Sequence, residues 1–261
     1  MLTTAKKTKI ASALKHYKKA YLDKGYGDLD ESATRLMINH FLTDVLGYKM
    51  IEEIKTEYMI RGTYADYVIQ INGVRHILIE VKAFSLELSE KHLRQAINYG
   101  ANEGIEWAIL TNARKIDLYR IIFDKPIDSK KVFSLDLTDQ NSFKDNIEQL
   151  QYLHKDCLRK NELEILWKKH SALSPTTLAS FLFGKPVLNY IKRELKSKFK
   201  SKFSDNEIID GIKNIITNPI CLDNIKLIKE KKKRETKPAP MTDLQPETNQ
   251  INPATNNGRY N

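Results

Sequence analysis

Ile60–Phe84 reads IRGTYADYVIQINGVRHILIEVKAF, and the way this stretch pairs with itself decides the fold. Aliphatic and aromatic residues flank Asn72-Gly73, the strongest short-range signal for a β-hairpin. Yet the same stretch carries Asp66, Glu80 and Lys82. A two-residue turn on Asn72-Gly73 would pair Ile71 with Val74 and scatter acids and aliphatics over both faces, which a buried face does not tolerate. A three-residue turn, Ile71-Asn72-Gly73 with Gly73 left-handed, pairs Gln70 with Val74 and Asp66 with Leu78 instead. Ala65, Tyr67, Ile69, Ile77, Ile79, Val81 and Ala83 then share one apolar face. The other face collects Asp66, Glu80 and Lys82, with Glu80 one diagonal step from Asp66, about 7–8 Å at Cβ.

Two carboxylates this close repel unless a cation lies between them or one takes a proton, and paired oxygen ligands suit Mg²⁺ or Mn²⁺. Lys82 projects to the same side. There it can stabilise charge on a phosphate or help activate an attacking water whose pKa a metal has lowered. A solvent-facing sheet surface would tolerate the same three residues without any chemistry.

The flanks extend the pattern. Residues 4–23 place Ile10, Leu14, Tyr17 and Tyr21 at helical spacing among lysines, and GYGDLD (25–30) ends that helix. From Glu31, Ala33, Met37, Phe41 and Val45 form a buried stripe that stops at Gly47. An extended segment near 51–60 precedes the hairpin. Residues 88–104 read as a helix with Gly104 as its C-cap, and EWAILTN and KIDLYRIIF as two further strands. VFSLDL is a candidate edge strand. Residues 142–228 read as helices, with Leu188, Ile191, Leu195, Phe199 and Phe203 on one stripe. Beyond Glu235 the chain has four prolines and almost no aliphatics, the composition of a disordered tail. The expected division is 1–28 (basic helix), 29–140 (α/β domain), 141–234 (helical region) and 235–261 (tail).

The chain has 261 residues, 41% of them hydrophobic, enough for one principal core. It lacks any run of eighteen apolar residues and a secretory h-region, so the expectation is a cytoplasmic protein without a membrane partner. Cys157 and Cys221 are far apart and form no CxxC pair, which argues against a disulfide framework or thiolate zinc site. Forty-three basic residues against thirty-three acids give +10. Residues 1–22 hold six lysines and no acid, and 185–202 seven basic residues against Glu194 alone. Separated basic blocks suit a polyanion, and equally a solvated surface. Lys192, Arg193, Lys196 and Lys200, around the face opposite the Leu188 stripe, are the expected contacts to a nucleic-acid backbone.

An acid on one strand followed by E-x-K on the next, here Asp66 and Glu80-Val81-Lys82, resembles the PD-(D/E)XK nuclease superfamily. IKTEYMIRGTYADYVI, ILIEVKA, LRQAINYG and WAILTNARKIDLYRI together look like the N-terminal nuclease domain of type I restriction enzyme R subunits, over residues of about 31–122. The resemblance implies a restriction-endonuclease-like mixed sheet flanked by helices, and Mg²⁺- or Mn²⁺-dependent cleavage of DNA. It implies Asp66, Glu80, Lys82 and Gln95 as catalytic residues, Asp66, Glu80, Val81 and Glu31 as metal ligands, and Tyr99 as a nucleic-acid contact. Glu31 has another reading, because Asp28 to Glu31 fits a capping box and Arg35 lies one turn away to pair with it. Gln95 and Tyr99 could likewise be the polar margin of a packed helix, and Glu57 a structural strand residue. Ala65 stands where the family has proline. No GxxxxGK[ST] phosphate loop is present, so the family's ATP-driven motor is not expected here. The reading is a stand-alone endonuclease of restriction, phage defence or mobile elements, its helical region gripping DNA or self-associating. The alternative is a non-catalytic nucleic-acid-binding or accessory protein that keeps the nuclease fold.

Overall fold

A computed structural model describes residues 1–27, 29–60 and 63–217. The tail at 235–261, the end of the helical region, Cys221 and the Asp28 cap lie outside the described residues. The chain divides into two units, Met1–Asp205 and Asn206–Asn261. In the first, α1 (Thr4–Tyr17) and α2 (Glu31–His40), each extended by a π-helical turn, precede the strands β1 (Ile54–Ile60), β2 (Thr63–Ile71) and β3 (Val74–Val81). A short 3₁₀ turn leads into α3 (Arg94–Glu103), followed by β4 (Trp107–Thr111), β5 (Lys115–Ile122) and β6 (Asp128–Asp136). The helices α4 (Phe143–Leu153), α5 (Lys155–Leu158), α6 (Glu162–Ala172), α7 (Pro175–Leu182) and α8 (Lys185–Phe199) complete this unit. α9 (Asp205–Thr217) belongs almost wholly to the second.

The six strands form one mixed sheet in chain order. Every neighbouring pair is antiparallel except β3–β4, which is parallel and joined by the crossover through α3. Gly104 closes α3 in the left-handed conformation expected of it. The edge strand read as VFSLDL begins four residues earlier, at Asp128.

The hairpin corrects the sequence reading twice. The turn has two residues after all: Ile71 pairs with Val74, and Asn72 and Gly73 carry φ of 52° and 79°, both left-handed as a type I′ turn requires. The parity is restored by a β-bulge between Ile69 and Gln70, beyond which Tyr67 faces Ile79 and Val68 faces Leu78. An extra residue in the strand does the work assigned to an extra residue in the turn. The second correction concerns burial, because the central strands are covered on both sides. Tyr67, Ile69, Ile77, Ile79 and Val81 pack under α1, α2 and α4, with Ile10, Leu14, Met37, Phe41, Leu150 and Leu153. Val68 and Leu78, on the face expected to be polar, pack under α3 with Leu93, Ala96 and Tyr99. Ala65 joins this second cluster and leaves the first.

The first core does not stop at residues 29–140. Ile147, Leu150, Leu153, Leu158 and Leu163 of α4–α6 belong to it, as do Ile10, Leu14 and Tyr17 of α1. Ion pairs fix the same arrangement: Lys7 meets Glu148 at 2.6 Å, Lys6 meets Asp156, and the N-terminal ammonium meets Glu162. Arg120 of β5 lies between the rings of Trp107 and Trp167, 5.0 and 5.9 Å from their centroids, and pairs with Glu106 and Glu164. Two of the lysines that suggested a polyanion are thus engaged with acids of α4 and α5. No helix of the described residues is long and apolar enough to cross a membrane.

Candidate active site

Three elements deliver the charged residues. β2 carries Asp66 and β3 carries Glu80 and Lys82 just beyond its end, while α2 starts at Glu31 with Asp30 as N-cap, its carboxylate accepting from Ala33 N–H at 2.8 Å. The Tyr67 hydroxyl donates to the Arg35 carbonyl at 2.8 Å and so ties α2 to β2. Continued past Tyr67–Ile79, the register sets Asp66 directly across from Glu80, closer than the diagonal expected. On its other side, the β1–β2 register sets Glu57 across from Asp66.

Asp66 Oδ2 accepts from Val81 N–H at 2.7 Å, and Oδ1 lies 3.3 Å from Arg35 Nη1. Lys82 Nζ donates to Glu80 Oε1 at 2.7 Å and lies 3.5 Å from Glu31 Oε1. Glu80 is 4% exposed. The structure therefore brings Glu31, Asp66, Glu80, Val81 and Lys82 together. Arg35 pairs with Asp66 and, at 3.6 Å, with Glu57, and not with Glu31 as its spacing implied.

Burial raises both carboxylates above their ordinary range. At Asp66 it outweighs the Val81 hydrogen bond and the attraction of Arg35 and Lys82. At Glu80 it outweighs Lys82, and the charges of Asp66 and Glu31 add to it. For Lys82, burial pulls downward, but the hydrogen bond to Glu80 and the surrounding acids leave the ammonium above its usual value. Because the folded pKa of both acids exceeds the unfolded one, their ionisation weakens the fold as pH rises through the carboxylate range. Asp66→Asn, which leaves the Lys82–Glu80 pair intact, is accordingly expected to melt higher than the wild type at neutral pH in chelator, with the difference vanishing in acid. Calorimetry at the two pH values checks this, and an amide that melts lower at neutral pH would contradict it.

Tyr99 takes a different place from the one expected, while Gln95 beside it stays exposed. Tyr99 is 2% exposed and donates from its hydroxyl to the Tyr64 carbonyl at 2.7 Å. Gln95 Nε2 donates to the same carbonyl at 3.1 Å and to the Tyr99 hydroxyl at 2.6 Å. Both clamp β2 two residues before Asp66, and Tyr99 offers no surface to a nucleic acid. The i, i+4 spacing showed that the two share a helix face but not that both would bind one strand carbonyl.

The four basic residues of the helical region are carried on a separate element, α8, and at its C-cap. Lys192 is bound to Asp205 at 2.6 Å. Arg193 stacks over Tyr190 and touches Glu194, while Lys196 and Lys200 are exposed. Of the stripe behind them, only Leu188 is fully buried and Phe199 is exposed.

The donor set is one of hard oxygens. The buried Glu80 and part-buried Asp66 carboxylates, both held above their ordinary pKa, form a place where a divalent cation would relieve both. Among the described residues no three His, Cys, Asp or Glu side chains converge as a metal-holding group. A cation here would rest on the Asp66–Glu80 pair, with oxygens from backbone or water.

A six-stranded mixed sheet flanked by helices, with a C-terminal helical region, is an α/β nuclease-like fold. Residues 30–129 match the family model of the type I restriction enzyme R protein N terminus (HSDR_N), the resemblance that the motifs carried. Comparison with curated proteins and with solved structures gave no significant match.

Proposed function

We propose that the protein is a metal-dependent endonuclease that hydrolyses DNA phosphodiester bonds. The observation that carries this is the β2–β3 register, which sets Asp66 across from Glu80 and leaves Lys82 Nζ on Glu80. Asp66 and Glu80 would hold Mg²⁺ or Mn²⁺, with Val81 contributing its backbone carbonyl, the only oxygen it has, and Glu31 at the margin. The bound ion would supply Lewis acidity and a water of lowered pKa. Lys82 stays protonated at neutral pH, so its part is to neutralise charge on the phosphate, not to take a proton. Gln95 and Tyr99 act through the backbone of β2, keeping Asp66 in register.

Lys192, Arg193, Lys196 and Lys200 are proposed to grip the DNA backbone, with Lys196 and Lys200 the better placed. Neutralising any one of them should flatten the plot of log K against log salt by about 0.9. The absence of a phosphate loop from the sequence supports cleavage without an ATPase motor within these 261 residues. A role in restriction, phage defence or mobile elements is proposed, the family match supporting its restriction theme. A second reading, a nucleic-acid-binding module without turnover, draws on the absence of a three-carboxylate cluster among the described residues.

The test is incubation of the purified protein with linear, circular and single-stranded DNA in Mg²⁺, Mn²⁺ or chelator. Cleavage that needs the cation is the expected result. Binding without cleavage under every condition would favour the second reading.

A further inference from the structure

The Arg35 guanidinium lies where a cation is needed before any metal arrives. It sits 3.3 Å from Asp66 Oδ1, at the long limit of a hydrogen bond, and 3.6 Å from Glu57 Oε1. Its side chain is 30% exposed, so the group can turn outward. Its backbone is fixed independently, by the Tyr67 hydroxyl on its carbonyl. Glu57 supplies an alternative seat. It is 73% exposed at the side chain and is held at φ 48°, a left-handed conformation that is strained for a non-glycine residue and unusual inside a strand. The strained residue is the one that the register sets across from Asp66.

A guanidinium and a divalent ion on one carboxylate repel each other, so they compete for Asp66. Displacement would leave a planar, permanently charged fork at the mouth of the site, the geometry that phosphate oxygens accept in pairs. We propose that Arg35 is a substrate-phosphate ligand of this site, parked on Asp66 until a divalent cation takes that carboxylate and then held toward the DNA by Glu57. This rests on the nuclease reading above. It adds a residue that neither the motif nor the family match assigns.

Two measurements on Arg35→Gln, neither using cleavage, test it. Mn²⁺ titration of the DNA-free protein, followed by electron paramagnetic resonance, should show affinity tightened on the order of tenfold, because the competing positive charge is gone. Duplex DNA binding in Ca²⁺, followed by anisotropy, should weaken, with its salt slope reduced by about 0.9, the share of a single phosphate. Arg35→Lys, which keeps the charge, should recover much of that slope. A residue that merely stabilised the fold would not move the two affinities in opposite directions, and the retained Tyr67–Arg35 main-chain bond keeps α2 docked in each variant. Mn²⁺ affinity unchanged or weakened by Arg35→Gln, or an unchanged DNA slope, overturns the proposal and leaves the nuclease reading standing. If the wild type binds no Mn²⁺ either, both fall together.

Discussion

Asp66→Ala, Glu80→Ala and Lys82→Ala are each expected to abolish cation-dependent cleavage of DNA. For Lys82 the loss should be on the order of 10²–10³-fold, the usual cost of removing one preorganised donor from a developing oxyanion. The two acids should cost at least as much, since the cation rests on both. The three substitutions should differ in their effect on the fold. Glu80→Ala leaves the Lys82 ammonium beside a void without its nearest acid, whereas Lys82→Ala leaves the buried Glu80 carboxylate without its nearest cation. Asp66→Asn and Glu80→Gln keep the shape of the site and are the cleaner probes. A gel assay at matched folded fraction, judged by circular dichroism, gives the answer. Full cleavage by Asp66→Asn or Glu80→Gln would remove these residues from the chemistry.

A fragment of residues 29–140, the span that sequence patterns mark off as the α/β domain, is expected not to fold. Ile147, Leu150, Leu153, Leu158 and Leu163 cover one face of the sheet from outside that span, and Ile10, Leu14 and Tyr17 cover more of it. Each buried Leu or Ile contributes about 1.5–3 kcal/mol. Removing five of them therefore approaches the whole stability of an ordinary domain, about 5–15 kcal/mol. Trp107 and Arg120 would also be parted from Trp167 and Glu164, which lie on α6. Residues 1–205 should show a cooperative thermal transition and the shorter fragment none. A sharp transition in residues 29–140 would refute the shared core.

The sequence was most legible where one local signal had one structural answer. Asn72-Gly73 marked the hairpin, Gly104 the end of α3, and the Glu31–Val45 stripe a helix under the sheet; all three stand in the fold. It was least legible where two devices satisfy the same pattern. Turn length and bulge both alter parity, so alternation of side chains could not say that the correction lies between Ile69 and Gln70. The acids' proximity was readable, because either register brings Asp66 near Glu80. Arg35 was not, since its position one turn after Glu31 offered a simpler local partner, while its contact with Asp66 spans thirty-one positions. Tyr99 looked polar enough to be exposed, and only the packing of α3 on the sheet shows that its hydroxyl ends on Tyr64. The helices flanking residues 29–140 were legible as amphipathic, but amphipathicity alone does not say which core a helix covers.

The placement of Asp66 across from Glu80 also sets a condition on the order of assembly. A two-residue turn closes a hairpin within about 1–10 μs, before distant segments arrive. In this hairpin early closure drives two like charges together while Arg35 is still remote in the chain and only Lys82 is at hand. Pairing near Asp66 is therefore expected to be penalised until α2 docks, so that the native hairpin is completed with its helix and not ahead of it. Stopped-flow refolding of Asp66→Asn should then run faster than wild type at neutral pH and equally fast in acid, where the acids carry protons in both states. On this expectation, the groups that would serve the chemistry would slow the chain on its way to the fold.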